Sequence, residues 1–412
     1  MKNILIRVKC RLKELVAEAK ARKRLKKVLA QPKSDVKKVV FMVHYIPSWI
    51  RHKLIYDALC ASDKAEAFIL CVPSDINEKD PAKNDIYHYF KERGYDVINA
   101  INKDGSLFDL KALAPDFVFQ SRPYNARMPK PYKSDALSEY TRLCNISYGT
   151  CLTHNVLSTV FNRDYFKDVS LYFTEMQDAK TYFNIRNKAG VKAGLQKAIV
   201  SGAADLEQMY LDREKAEDHF PSLKSRPRFI WAPRWSVDAL LGGSNFFNYK
   251  DFMIDYFGKN QNVSLLMRPH PLMFSNFVEN GNMTKEQEIE YRKKIADTPN
   301  IELDEMKEYA DNFWTSDALI TDISAIIINY YITGKPIIYC TSDIKLEFVD
   351  QMNEMLGGCY IANNQDDIQR YIEMLARGED PLKEERDRVI KKYFESSMNG
   401  CGKRIADILI NE

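Results

Sequence analysis

Three short segments in the second half of the chain carry residue types that bind and activate phosphate esters. Ala232-Pro233-Arg234-Trp235-Ser236 offers a guanidinium and a hydroxyl, Arg268-Pro269-His270-Pro271 a guanidinium and an imidazole, and Thr321-Asp322-Ile323-Ser324 two hydroxyls and a carboxylate. Each follows a β-rich apolar run, so each is expected at the carboxyl end of a strand. The prolines around His270 keep a helix from starting there and should hold Arg268 and His270 on a stiff loop. Thr321, Asp322 and Ser324 are N-cap residue types before the apolar run 326–331. A helix starting there would offer free amide N–H groups and its positive end to an anion. Singly, each segment reads as a turn or a cap. Together they supply two cations, an imidazole, hydroxyls and a helix start, which is what a diphosphate leaving group requires. Gly242-Gly243-Ser244 adds a loop that could close over a ligand, or simply turn.

These segments need a scaffold, and the pattern of runs predicts one. From residue 39, β-rich runs at 39–43, 67–71, 96–99, 116–119 and 171–173 alternate with helix-prone stretches long enough for right-handed crossovers. A charged, proline-bearing stretch at 212–227 precedes a second series at 228–231, 263–267, 317–321 and 336–340. The predicted fold class is α/β, with two Rossmann-like domains facing a cleft and ligands at the strand ends. The expected division is a basic amphipathic helix over 1–35, an N-terminal Rossmann-like domain over 36–210, a C-terminal one over 211–385 and a final helix over 386–412.

The formal charge of +3 over 412 residues conceals an imbalance. Residues 1–39 hold 14 Lys or Arg against 3 Asp or Glu, a balance of +11, so the rest sums to 3 − 11 = −8. Within the arm, Leu5, Val8, Leu12, Leu15, Val16, Ala19, Leu25, Val28 and Leu29 recur near helical spacing among lysines and arginines. Such a helix can lie in the headgroup region of an anionic membrane, each cation adding roughly 1 kcal/mol. The plainer alternative is a helix packed on its own domain with a solvated basic face. Nucleic acid is not an expected partner, since the arm lacks interleaved aromatics and the body is acidic. No apolar run is long enough to span a bilayer and no signal-peptide core is present, which predicts a cytoplasmic chain peripheral to the inner membrane face. The eight cysteines are scattered, with no C-x-x-C pair. They read as free thiols, and no metal or other cofactor is expected.

Taken in order, the Ala-Pro-Arg-Trp-Ser segment at 232–236, Arg-Pro-His-Pro at 268–271, and the stretch from Ser316 through Thr321-Asp322-Ile323-Ser324 to Lys335-Pro336-Ile337 resemble the CDP-glycerol glycerophosphotransferase family of teichoic-acid primases and polymerases. The resemblance covers about residues 195 to 345. The segments Lys91–Ala100 and Asn145–Thr150 are similar to versions found in surface-polysaccharide gene clusters. It implies a GT-B fold, a donor domain over 211–385, an acceptor domain over 36–210 and metal-independent transfer of a polyol phosphate. The implied partners are a CDP-polyol donor and a glycan or lipid-linked acceptor. Arg268 and His270 would then meet the donor phosphates, with Thr321, Asp322 and Ser324 at the helix start and Arg234 and Ser236 beside them.

The family's Trp-His-Gly-Thr turn, whose His is the usual general-base candidate, reads Ser147-Tyr148-Gly149-Thr150 here. The base therefore cannot be carried over. His44 at the end of the first strand, His154 and Tyr148 itself are the replacements, with His44 preferred because a strand end faces the cleft; Tyr148 would need a strongly lowered pKa. His52, His88 and His219 read as surface residues. Two other functions fit the same fold: a glycosyltransferase using a nucleotide sugar, and a catalytically silent polysaccharide-assembly scaffold, prompted by the missing histidine.

Overall fold

The computed structural model describes residues 2–120, 122–147, 149–238 and 243–412, the side chains of residues 2–8 and 10 excepted. The chain forms two compact units. Unit 1 comprises residues 1–149, 155–208 and 396–412, and unit 2 comprises 150–154 and 209–395. The last helix, Cys401–Asn411, thus belongs to unit 1. It packs on the helix Lys53–Cys60 through Gly402, where a Cβ would come within 2.8 Å of the Leu54 backbone. Only glycine permits that approach.

Unit 1 holds seven parallel strands: β1 (Lys37–Val43), β2 (Ala65–Cys71), β3 (Val97–Asn99), β4 (Phe117–Gln120), β5 (Arg142–Ile146), β6 (Val169–Thr174) and β7 (Lys197–Val200). Their order is 3-2-1-4-5-6-7. Unit 2 holds β8 (Arg228–Ala232), β9 (Ser264–Met267), β10 (Ile301–Leu303), β11 (Ala318–Thr321), β12 (Ile337–Cys340) and β13 (Tyr360–Ala362) in the order 10-9-8-11-12-13. Both are doubly wound Rossmann topologies, with ligands expected where the strand order reverses. In unit 1 that point lies between β1 and β4, and in unit 2 between β8 and β11. The central strands β4, β6, β8, β9, β11 and β12 are buried along their whole length, as sheets covered on both faces require.

Strands β5, β7, β10 and β13 are missing from the sequence expectation. Three-residue strands such as Ile301-Glu302-Leu303 and Tyr360-Ile361-Ala362 carry too little periodicity to register.

The first helix, Lys2–Leu29, packs on its own unit over its second half, as the plainer reading of the basic arm expects. Its second half packs on unit 1 through buried Ala21, Leu25 and Val28, fastened by Arg24 to Asp168 at 2.5 Å and to Ser138 at 2.9 Å. Arg186 holds Glu14 and Glu18 at 3.2 and 2.9 Å. Leu12, Leu15 and Val16 are exposed. At 3.6 residues per turn they fall on the side of the helix opposite Ala21, Leu25 and Val28. Among the described residues, no helix is long and apolar enough to cross a membrane.

Candidate active site

Unit 2 gathers several of the expected residues around one buried carboxylate. Asp322 follows β11, is fully enclosed, and accepts the backbone N–H of Arg234 at 2.8 Å and of Asn245 at 3.0 Å on its two oxygens. Thr321 Oγ1 donates to the Ala232 carbonyl at 2.7 Å. Ser244 Oγ donates to the Arg234 carbonyl at 2.6 Å, and Asn245 Nδ2 to the carbonyls of Cys340 and Thr341 at 3.1 and 2.8 Å. Thr321 and Asp322 thus tie the exits of β8 and β11 and the 243–245 loop together, and Asn245 adds the exit of β12. Burial pushes the Asp322 carboxyl up to about 6 against the pull of the two amides and Arg234.

This corrects the expectation of a side-chain N-cap built from Thr321, Asp322 and Ser324. The helix Ile326–Tyr331 begins after Ala325, and no side chain caps it. The physical reason is that Asp322 and Thr321 spend their oxygens on the neighbouring loops. Ser324 lies half-buried two residues before the helix.

Arg234 lies over this helix start, with Nη1 donating to the Ile323 carbonyl at 2.6 Å. Its Nε is buried without a hydrogen-bond partner among the described residues. Burial lowers its pKa, opposed by Asp322, Tyr339 and Asp238. Ser236 is buried and accepts from the Asp238 N–H at 3.1 Å, so its oxygen closes its own turn.

His270 leaves β9 on the proline-flanked loop. Its ring lies 5.9 Å from that of Trp235, and Nδ1 accepts the Leu272 N–H at 3.1 Å. That acceptance places the neutral ring's proton on Nε2. Although the residue is exposed, protein atoms crowd the ring, and this desolvation, followed by the charge on Arg234, lowers its pKa. His270 is therefore a neutral donor through Nε2–H at physiological pH.

Arg268 is engaged elsewhere. It pairs with buried Asp304, donates to the Met306 carbonyl at 2.9 Å, and sits 5.6 Å over the Tyr309 ring. Asn312 Nδ2 also donates to Asp304, at 2.6 Å. The pair holds the loop after β10 in place, and Arg268 lines a cavity of about 500 Å³ with His270, Phe274, Arg292 and Met306. Lys335 also serves structure. Its ammonium donates to the carbonyls of Phe313, Trp314 and Ser316 at the end of the helix Ala310–Thr315, and burial lowers its pKa to about 8.

Of the base candidates, His44 and His154 lie among the described residues. His44 ends β1 in unit 1 and is buried; desolvation, then Arg122 and Arg127, lower it to about 4. His154 begins the helix His154–Phe161, half-buried, and its N–H donates to the Glu347 carbonyl at 3.0 Å. Tyr148 and Gly242 lie outside the described residues. His52 departs from its surface assignment. It is buried edge-on against Phe41 and Phe119, with Nδ1 3.0 Å from the Ser48 carbonyl and a pKa lowered to about 4 by burial. His219 meets Asp311 at 2.8 Å.

Sequence reasoning missed Asn245, Asp304 and Trp235. The first two act through backbone and ion-pair partners distant in sequence, which no local pattern reveals. Trp235 stood inside a quoted motif, and only its neighbours were given a role. Among the described residues, no group of three His, Cys, Asp or Glu side chains is placed to hold a metal ion.

The chain is 23% identical over 195 residues to the teichoic acid ribitol-phosphate polymerase TarL of Staphylococcus aureus, a match covering 46% of this chain and 31% of that protein. It thus spans about a third of that relative's length. The wall teichoic acid polymerase TagF shares the fold at a TM-score of 0.55 and 16% identity, over 100% of this chain and 98% of that one. The S. aureus MnaA–UDP structure does so at 0.60 and 13% identity, over 92% and 98%. The Neisseria meningitidis UDP-GlcNAc 2-epimerase gives 0.60 and 12%, over 91% and 99%. These neighbours establish the two-Rossmann fold of the GT-B type. Residues 175–411, more than half of the chain, match the family described as CDP-Glycerol:Poly(glycerophosphate) glycerophosphotransferase, and the chain belongs to that family.

Proposed function

We propose that this chain moves glycerol phosphate, or a related polyol phosphate, from a CDP-activated donor to a hydroxyl of a glycan or lipid-linked acceptor, releasing CMP, in cell-surface polymer synthesis. Unit 2 is the donor domain and unit 1 the acceptor domain. The observation that carries the reading is the half-satisfied Arg234 guanidinium over an uncapped helix start, with the neutral His270 on the adjoining strand exit. Fixed donors of this kind neutralise charge as it develops on a departing phosphate.

In this mechanism the acceptor oxygen attacks the phosphorus that carries the polyol, and the bond from that phosphorus to the bridging oxygen breaks. CMP departs with the electron pair, and the hydroxyl proton passes to a base. Arg234 and the amides at Ser324 and beyond receive the diphosphate, and His270 Nε2–H donates to the leaving phosphate. Asp322 acts through the loops it fastens, and Arg268 through the loop after β10. The base is drawn from His44, Tyr148 and His154. His44 is neutral at physiological pH, as a base must be, though its low proton affinity makes it a weak one.

The exposed half of the first helix supports docking at the inner membrane face. Leu12, Leu15 and Val16 face away from unit 1 beside exposed Lys9, Arg11, Lys13 and Lys20, the composition of an interfacial helix.

A donor screen tests the reading. The chain is incubated with CDP-glycerol, CDP-ribitol and common nucleotide sugars, and the released nucleotide is identified. CMP from a CDP-polyol supports the transferase. UDP or GDP release points to a glycosyltransferase, and no release from any donor favours the scaffold.

A further inference from the structure

A second cavity of unit 2, of about 500 Å³, opens at the exits of β12 and β13, and the donor chemistry does not use it. Its size falls in the range of small-ligand sites, roughly 300–1,000 Å³. Asn245, which it shares with the Asp322 network, has its amide engaged: Nδ2 holds the Cys340 and Thr341 carbonyls, and Oδ1 accepts from Asn248 Nδ2 at 3.3 Å. Thr341 Oγ1 donates to Asn363 Oδ1 at 2.9 Å, and Asn364 Oδ1 accepts the Asp367 N–H at 2.9 Å.

These bonds leave a distinct set of groups over. Tyr249 lines the cavity and is 5% exposed, yet its hydroxyl has no hydrogen-bond partner among the described residues. A tyrosine buried to that degree normally finds a partner for its O–H. The Nδ2 groups of Asn363 and Asn364 and the carboxylates of Asp343 and Asp366, all on exposed residues lining the same cavity, are likewise without side-chain partners among the described residues.

Their chemistry specifies a ligand. Among the described residues no Lys or Arg lines the cavity, and two carboxylates without counter-ions repel phosphate and other anions. An apolar ligand would bury these groups without hydrogen bonds, which is unfavourable. A metal ion takes oxygen ligands, and the oxygens of both asparagine side chains are already engaged. Adjacent hydroxyls on an uncharged ring need what is present: carboxylates that accept O–H protons, with amide and phenol groups that donate to hydroxyl oxygens.

We infer that the cavity bounded by Tyr249, Asp343, Asn363, Asn364 and Asp366 is a binding site for an uncharged sugar unit, set apart from the transfer chemistry. The inference goes beyond the transferase reading and stands without it, because a sugar held here is bound and not transformed.

The full chain is tested by saturation-transfer NMR with glucose, galactose and N-acetylglucosamine, each with and without saturating CDP-glycerol. At least one of them is expected to bind saturably, with an affinity that CDP-glycerol leaves within twofold. The 1-phosphate of the same sugar should bind at least tenfold more weakly. Asp343→Asn with Asp366→Asn, both at exposed positions, should weaken sugar binding at least tenfold and leave CDP-glycerol affinity within twofold. Tyr249→Phe, which removes an oxygen bonded to nothing in the protein, should weaken it about threefold with an unchanged unfolding midpoint. Absence of saturable binding by all three sugars overturns the inference, as does equal binding by wild type and both variants. Displacement by CDP-glycerol would put the sugar in the donor site, and calcium binding without sugar binding would make the cavity a cation site; either result also overturns it. Failure of CDP-glycerol to bind wild type counts against the transferase reading alone, and the sugar titration without CDP-glycerol still decides this site.

Discussion

The two sheets share a strand order, yet their reversal points are built in opposite ways. In unit 2 nearly every polar atom near the reversal is spent on the protein itself: Asp322 on two loop amides, Thr321 on Ala232, Ser244 on Arg234, and Arg268 on Asp304. Among the described residues, Arg234 Nε is left without a hydrogen-bond partner and no side chain caps the helix start. In unit 1 the corresponding edge holds Arg122 and Arg163 against the faces of Tyr45 and Tyr124. The contrast teaches how one topology serves two tasks. A pyrophosphate whose charge develops in the transition state is best met by donors that cannot reorganise. An acceptor that varies or grows is better met by charges that can adjust on a flat aromatic surface.

The contrast can be broken most forcefully at its buried ion pair. Arg268→Met leaves Asp304 charged and without its counter-ion in unit 2 and should cost about 3–5 kcal/mol in urea unfolding. Arg127→Ala in unit 1 removes an exposed, unmatched charge and should stay within about 0.5 kcal/mol. Similar losses from the two variants would erase the distinction.

His270→Ala should lower the rate of CMP release by about a hundredfold to a thousandfold with little change in unfolding midpoint. His270→Gln, which restores an N–H donor, should recover part of the rate. Full activity in the alanine variant would remove His270 from the chemistry.

Acid separates the units by sign. The His44 imidazole lies below its unfolded value of about 6.5, so its stabilising contribution is complete above that value and is lost as pH falls toward 4. The shift corresponds to an order of 3 kcal/mol. Asp322 is raised to about 6, so the folded state holds its proton more tightly. Its contribution is complete below the usual carboxylate value and is lost as pH rises through 6. Peptide-resolved hydrogen exchange at pH 4 and 7 should show His44→Gln reducing acid opening in unit 1, and Asp322→Asn removing the acid gain in unit 2.

The smallest effect belongs to the first helix. Changing Leu12, Leu15 and Val16 together to Ser should weaken binding to anionic vesicles roughly tenfold and leave the unfolding midpoint unchanged, because those side chains face away from unit 1. A lowered midpoint would mean they pack on the protein.

Much of this was legible in the residues. Long apolar runs such as Val39–Val43 and Arg228–Trp231 announced central strands, and the Pro-flanked His270 announced a stiff loop. Short strands such as β10 and β13 did not announce themselves. The role of Asp322 was misread for a definite reason. N-cap chemistry is local and visible in sequence, whereas acceptance of amides at 234 and 245 depends on which strand exits become neighbours. The approach of Arg122 to Tyr45 was invisible because the two residues follow β4 and β1, strands far apart in sequence that pair in the sheet.

The central claim, that unit 2 receives a diphosphate at Arg234 and the helix start, is tested most directly by comparing affinities for CDP and CMP in wild type and Arg234→Ala. The account predicts that wild type binds CDP at least tenfold more tightly than CMP and that the variant loses most of this preference. An undiminished preference for CDP in Arg234→Ala would contradict it.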